Sequence, residues 1–292
     1  MKTFLDCIPC IIRQTLDSAR LSTSDEAVHE RMLREILRNA AEMDLRRNPP
    51  EMAQWIHRRI RRYVNESDPY RQIKDRFNRM ALELYPTLRK WVEESNRPME
   101  TVVRLVIAGN VIDFGVNADL TMPQVREAIT HALLAPFDAD VEEFFRALSD
   151  ARKILYLTDN AGEIVFDRLL LRQIPAEKVT VGVRGFPVIN DATLADAEEA
   201  GIAKMFKVIE NGSDAPGTIL ADCSDAFQTQ FREADLIVAK GQGNYETLND
   251  VDKDIYFLLK AKCPVVADDL GCDVGSLVLR RSIALTVSET KA

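Results

Sequence analysis

The rhythm of apolar residues changes once along this chain, near residue 150, and that change restricts the folds open to it. Beyond it, short apolar runs at 154–159, 179–185, 203–209, 236–241, 264–268 and 282–287 are separated by stretches of helical character, one of them the apolar run 255–261. Strands that alternate with helices imply a mainly parallel sheet covered by helices. Before it, from about residue 10, Arg, Glu, Leu and Ala dominate and β-branched alternation is rare, which reads as helix. Asn48-Pro49-Pro50, Ser67-Asp68-Pro69, Tyr85-Pro86 and Asn96-Arg97-Pro98 punctuate that half, because proline and its predecessor discourage helix continuation. The expected class is α/β: a mainly parallel, Rossmann-like three-layer sheet domain over 151–292, preceded by an α-helical N-terminal domain over 1–150.

Composition removes several classes of function. A formal net charge of -8 over 292 residues argues against general affinity for nucleic acid. The basic run His57-Arg58-Arg59-Ile60-Arg61-Arg62-Tyr63 is expected to be a solvated helix face. Since apolar stretches all stop short of a membrane span and Met1-Lys2-Thr3-Phe4-Leu5-Asp6-Cys7 has no signal-peptide core, a cytoplasmic protein without membrane contact is expected. Five cysteines, an odd number, do not make a disulfide framework. Cys7-Ile8-Pro9-Cys10 has a spacing shared by metal knuckles and redox pairs, but a second pair for a zinc site is missing, so Cys7 and Cys10 are either structural thiols or thiol and metal sites. Oligomeric state is not readable.

The chemistry collects at strand ends. In an open parallel sheet the ligand crevice lies outside the carboxyl ends of the strands. The run 154–159 empties into Thr158-Asp159-Asn160-Ala161-Gly162-Glu163, and the run 179–185 leads to Asn190-Asp191-Ala192-Thr193. Asp159, Asn160 and Asp191 form an all-oxygen set suited to a hard divalent ion, Mg2+ or Mn2+ first, with Co2+ and Ni2+ as further candidates. Asp and Asn at such positions also cap the following helix, and spacing alone leaves both uses open. A third run ends in Lys240-Gly241-Gln242-Gly243-Asn244-Tyr245-Glu246, where two glycines permit close approach to an anion and Lys240 supplies charge; a plain tight turn is the other reading. Lys262 follows the apolar run 255–261, where a lysine also favours a helix dipole. The stretch 101–115 is apolar on nearly every face and reads as an interior helix, so Asn110 and Asp113, on one side of it, need core partners or a cleft. Asp68-Pro69-Tyr70, with Lys74 four positions on, reads by itself as a helix start.

Taken in order, Ala108-Gly109-Asn110-Val111-Ile112-Asp113-Phe114-Gly115, Thr158 to Glu163, Arg184-Gly185-Phe186-Pro187-Val188-Ile189-Asn190-Asp191-Ala192-Thr193 and Lys240 to Glu246 resemble the damage-control phosphatase family, domain of unknown function 89. Cys7-Ile8-Pro9-Cys10, Asp68-Pro69-Tyr70 and Lys262-Cys263 resemble its prokaryotic branch. The resemblance implies a metal-dependent phosphatase of small phosphorylated metabolites, damaged or surplus, among them sugar phosphates. It implies that Asp159, Asn160 and Asp191 hold the metal, and that Gln242, Gly243, Asn244, Tyr245, Glu246 and Lys262 contact substrate. The Arg-Thr-x-Lys signature of the eukaryotic branch is replaced here by Leu259-Lys260-Ala261-Lys262.

The expected reaction is phosphomonoester hydrolysis by metal-activated water, with Asp159 or Glu163 orienting the water and Lys240, Gly241 and Lys262 among the groups on the phosphoryl oxygens. Attack by Asp159 itself is the other route; Ala161 stands where aspartate phosphatases carry a second Asp, which favours water. Two other functions fit: a binding protein for a phosphorylated ligand, regulated by metal or thiol, and an S-adenosylmethionine-dependent methyltransferase. The latter is opposed by Thr158-Asp159-Asn160, which occupies the place of a glycine-rich cofactor loop.

Overall fold

The computed structural model describes residues 1–111 and 121–282. Among these, seven α-helices come first: α1 Cys7–Ser22, α2 Glu26–Ala41, α3 Pro49–Val64, α4 Arg71–Glu93, α5 Pro98–Ala108, α6 Met122–Leu134 and α7 Val141–Asp150. Strands then alternate with helices. They are β1 Ile154–Leu157, α8 Glu163–Leu171, β2 Val179–Val183, α9 Leu194–Glu199, β3 Lys207–Glu210 and α10 Asp225–Glu233. After them come β4 Leu236–Lys240, α11 Gln242–Leu248, β5 Ile255–Lys260, α12 Pro264–Leu270 and β6 Leu277–Arg281. The sheet order is β3-β2-β1-β4-β5-β6, parallel except for β6, which pairs antiparallel with β5. The order reverses between β1 and β4, which makes their carboxyl ends the switch point where such sheets bind ligands.

Side chains alternate across the sheet with a period of two. Ile154, Tyr156, Leu236, Val238, Tyr256 and Leu258 face one layer, built from α4 to α8. Leu155, Leu157, Ile237, Ala239, Phe257 and Leu259 face the other, built from α10, α11 and α12. The first layer joins Val103 and Val106 of α5 to Phe166 and Leu170 of α8, so packing runs across residue 150. A smaller cluster of Ile11, Met32, Ile36, Ile56 and Ile60 holds α1, α2 and α3 together.

Several local expectations are corrected. The run 255–261 is not a helix but strand β5, and 264–268 is not a strand but the body of α12. Pro264 at the start and Gly271 in the left-handed region at the end mark α12 as a helix, whereas aromatic and apolar 255–259 is buried on both faces of the sheet. Pro86 does not end a helix; α4 runs through it. An interior proline costs about 3 kcal/mol, and the buried Leu84, Tyr85 and Leu88 around it offset this at roughly 1.5–3 kcal/mol per large apolar side chain. The run 203–209 is strand only from Lys207, and the run 282–287 falls outside the described residues but for Ser282, which follows β6. The basic run is not a solvated face throughout: His57 and Ile60 are buried, and Arg58 and Arg61 pair with Asp214 beyond β3. Among the described residues no helix is long and apolar enough to cross a membrane.

Candidate active site

The segments after β1 and β2 are stitched together by their backbones. Ala192 N–H donates to Asp159 O at 2.7 Å, Ala161 N–H donates to Asn190 O at 2.7 Å, and Asn160 and Asp191 form an antiparallel bridge. Asp159, Asn160 and Asp191 therefore converge, with 8%, 4% and 4% of their surfaces exposed. Ile189, two residues before Asp191, has φ 42, a strained value for a β-branched residue and one found where a loop's shape is functional. The end of β4 closes in from the other side. A Cβ on Gly241, whose φ is 80, would stand 2.0 Å from Asp159 Oδ2, so the carboxylate lies directly on the glycine. Asp159 and Asn160 are not caps: α8 starts at Gly162 with no side-chain capping bond.

Beneath the three residues lies a floor of interlocking side-chain hydrogen bonds. Asn110 Nδ2 donates to Asp159 Oδ2 at 3.1 Å and to Glu163 Oε2 at 2.9 Å. Asn160 Nδ2 reaches the same two atoms at 2.7 and 2.9 Å. Lys240 Nζ donates to Glu163 Oε1 at 2.6 Å, Asp167 Oδ1 at 2.7 Å and Val106 O at 3.0 Å, which uses all three of its protons. Tyr156 hydroxyl donates to Asp167 Oδ1 at 2.8 Å, and Arg184 Nε donates to Asp191 Oδ2 at 2.6 Å. Burial pushes the Asp159 carboxyl well above its usual range, and the charges of Glu163 and Asp191 add to this; Lys262 and Arg184 offset it in part. Burial lowers the Lys240 ammonium, but Asp167 and Glu163 beside it outweigh this and raise it above lysine's usual value. Asp167 is lifted to about 6, by burial first, with Lys240 opposing.

A divalent ion fits this chemistry. Asp159, Glu163, Asp167 and Asp191 are four buried carboxylates, and the buried cations among them are Lys240 and Arg184, so the cluster carries excess negative charge. Asn110 Oδ1 is buried without a hydrogen-bond partner. Among the described residues no three His, Cys, Asp or Glu side chains make a metal-holding group; the candidate set is two carboxylates and an amide.

The other candidates divide between floor, frame and rim. Lys240 points with Leu236 and Val238 into the α5 and α8 layer and is 0% exposed, so it does not face a ligand. Glu163 is likewise sealed, both oxygens taken by protein donors. Asn244 ties strand ends together, donating to Lys240 O and Thr158 O and accepting from Thr218 Oγ1. Tyr245 hydroxyl donates to Asp269 at 2.5 Å, away from Asp159. Gly243 is packed on Pro216 O, 2.2 Å from where its Cβ would be, so its missing side chain admits a neighbouring segment. Gln242 Nε2 donates to Glu246 Oε1 and approaches Cys263 Sγ, and Gln242 Oε1 accepts from Lys262 N–H. Glu246 is half-buried and pushed up to about 7 by burial, with the Lys262 charge among the groups opposing. Lys262 is exposed, and its charge reaches both Asp159 and Glu246. Asp113 lies outside the described residues. Cys7 and Cys10 are free thiols on the first turn of α1, half-buried and exposed, raised by burial and by the charges of Cys263 and Glu246. Sequence reasoning missed Arg184, the partner of Asp191, and Asn78 of α4, whose Oδ1 accepts Gly162 N–H at 2.7 Å. A polar residue on the inward stripe of α4, in line with Ala81 and Tyr85, is a signal that was present.

Comparison with known proteins places the chain in a family. The family model for the damage-control phosphatase ARMT1-like domain matches residues 3–278. A damage-control phosphatase of Archaeoglobus fulgidus is 38% identical over 280 residues, covering 94% of this chain and 97% of its own length. One from Pyrococcus horikoshii is 34% identical over 289 residues, covering 97% of this chain and 99% of its own. The crystal structure of a DUF89 family protein from Pyrococcus horikoshii superposes with a TM-score of 0.87 at 33% identity, covering 97% of this chain and 99% of that one. The chain belongs to the family of the damage-control phosphatase ARMT1-like domain.

Proposed function

We propose that this protein is a metal-dependent phosphatase that hydrolyses small phosphomonoesters, with Asp159, Asn160 and Asp191 holding a divalent ion. The observation that carries this reading is the backbone-stitched pair of buried aspartates, set in a cluster of four buried carboxylates with two buried cations, Lys240 and Arg184. An ion held there supplies the positive charge that polarises a phosphoryl oxygen and activates water. Mg2+ or Mn2+ suits the oxygen donors best, with Co2+ and Ni2+ as substitutes. Asn110 and Asn160 orient the Asp159 carboxylate by donating to its Oδ2, and Glu163, anchored on Lys240, holds both amides in place. Arg184 fixes Asp191. Lys262 meets the phosphate from the rim, as the exposed cation whose charge reaches Asp159. Lys240 has no proton left for a phosphate and acts from within.

The test is phosphate release from a panel of phosphomonoesters, sugar phosphates included, with each metal and after chelation. Chelator-sensitive turnover that Asp191→Asn abolishes supports the reading. Metal-dependent binding of the panel without phosphate release contradicts it in favour of a binding protein.

A further inference from the structure

Helix α4 turns polar where its inward face meets the two site loops. Lys74 and Asn78 are one turn apart and both 0% exposed. Asn78 Oδ1 accepts from Gly162 N–H at 2.7 Å, while its Nδ2 donates to Asp196 Oδ1 at 3.0 Å and Glu199 Oε2 at 2.8 Å. Lys74 Nζ lies 2.8 Å from Asp196 Oδ2, and Arg71 Nη2 lies 2.9 Å from Asp196 Oδ1. Asp196 in turn accepts from Thr193 N–H at 2.8 Å and Thr193 Oγ1 at 2.7 Å, which closes the capping box that starts α9. Gly162 is three residues beyond Asp159, and Thr193 is two beyond Asp191. A single buried amide thus bonds the segment of one proposed ligand and, through Asp196, the segment of the other.

We propose that Asn78 is a positioning residue that sets the separation of the Asp159 and Asp191 loops by bonding Gly162 and Asp196 at once. The role rests on the functional reading above and requires an amide. The Gly162 side needs an acceptor for a buried N–H at a helix start, and the Asp196 side needs a donor. Asp at position 78 would set a carboxylate against Asp196 and Glu199, and Leu fills the space with neither function. Ligands held by such supporting bonds typically lose 10–100-fold in metal affinity or activity when the support is removed. Lys74 and Arg71 keep Asp196 in place and ionised, so the acceptor for Asn78 does not move.

The experiment compares wild type, Asn78→Leu and the core control Leu88→Ala, a buried residue about 15 Å further along the same helix at a rise of about 1.5 Å per residue. Amide hydrogen exchange is measured over 158–163 and 190–196, and Mn2+ affinity by calorimetry, all below the melting transition of the least stable variant. Asn78→Leu is expected to lose protection in both segments and about 10–100-fold in Mn2+ affinity. Leu88→Ala is expected to keep both even if its melting temperature falls further. Unchanged exchange in Asn78→Leu, loss confined to 158–163, or equal loss in Leu88→Ala would overturn the proposal. Should Asn78→Leu fail to fold, Asn78→Ser replaces it under the same criteria. If wild type binds no Mn2+, the functional reading fails separately, and the exchange pattern still decides whether Asn78 couples the loops.

Discussion

Two lysines near the site, Lys240 and Lys262, look alike in sequence and have opposite situations in the fold. Lys240 closes β4 at a position whose side chain turns into the α5 and α8 layer, and all three of its protons go to Glu163, Asp167 and Val106. Lys262 follows β5 on the exposed rim, with its charge felt by Asp159 and Glu246. One lysine holds the carboxylates of the floor together, and the other is the one that the proposed function assigns to an incoming anion. The difference is one of position: Lys240 ends a buried strand and strand parity turns it inward, whereas Lys262 lies beyond the end of β5 and is exposed. Leu236, Val238 and Lys240 share one face, and the first two already belong to the core.

The largest expected effect breaks the floor. Lys240→Met leaves Glu163 and Asp167 buried without their cation and should cost about 3–5 kcal/mol of stability in urea unfolding. Lys262→Met should stay within about 0.5 kcal/mol, as exposed substitutions do, while its KM for a phosphomonoester rises by roughly tenfold for one lost charge-assisted bond. Equal stability losses in the two would erase the distinction. Gly241→Ala sharpens the boundary between floor and rim. It drives a methyl into Asp159 and should add about 1–3 kcal/mol of overpacking to about 1–3 kcal/mol of backbone strain at φ 80, ψ 165. Gly271→Ala, in the left-handed region at φ 67, ψ 38 with nothing within 4 Å, should cost only about 1–2 kcal/mol of strain and no overpacking. The smallest effect concerns the rim and pH. Glu246, raised to about 7, is neutral below that pH and charged above it, where it adds negative charge beside Lys262. KM in the wild type should therefore climb by a few-fold as pH rises through 7, and Glu246→Gln should flatten the climb.

The class of the fold was legible because short apolar runs and helical stretches alternate after residue 150, and four runs coincide in whole or part with β1, β2, β3 and β4. The inversion of β5 and α12 came from reading apolar length alone. In 255–260 and 264–270 the decisive marks are aromatic Tyr256 and Phe257 on one side, Pro264 and Gly271 on the other. The convergence of Asp159, Asn160 and Asp191 was legible from strand ends, since parallel strands carry their ends to one edge. The supports were not. Asn78, Asp196 and Arg184 act across 118 residues of sequence in one case and across a loop in another, and pairings of that kind arise only when the layers pack.

The most direct measurement is anomalous scattering from a crystal of the protein soaked in Mn2+. A single strong peak within bonding reach of carboxylate oxygens from both Asp159 and Asp191, lost in Asp159→Ala, is the predicted result. A peak at Cys7 and Cys10 with none beside the two aspartates would contradict it.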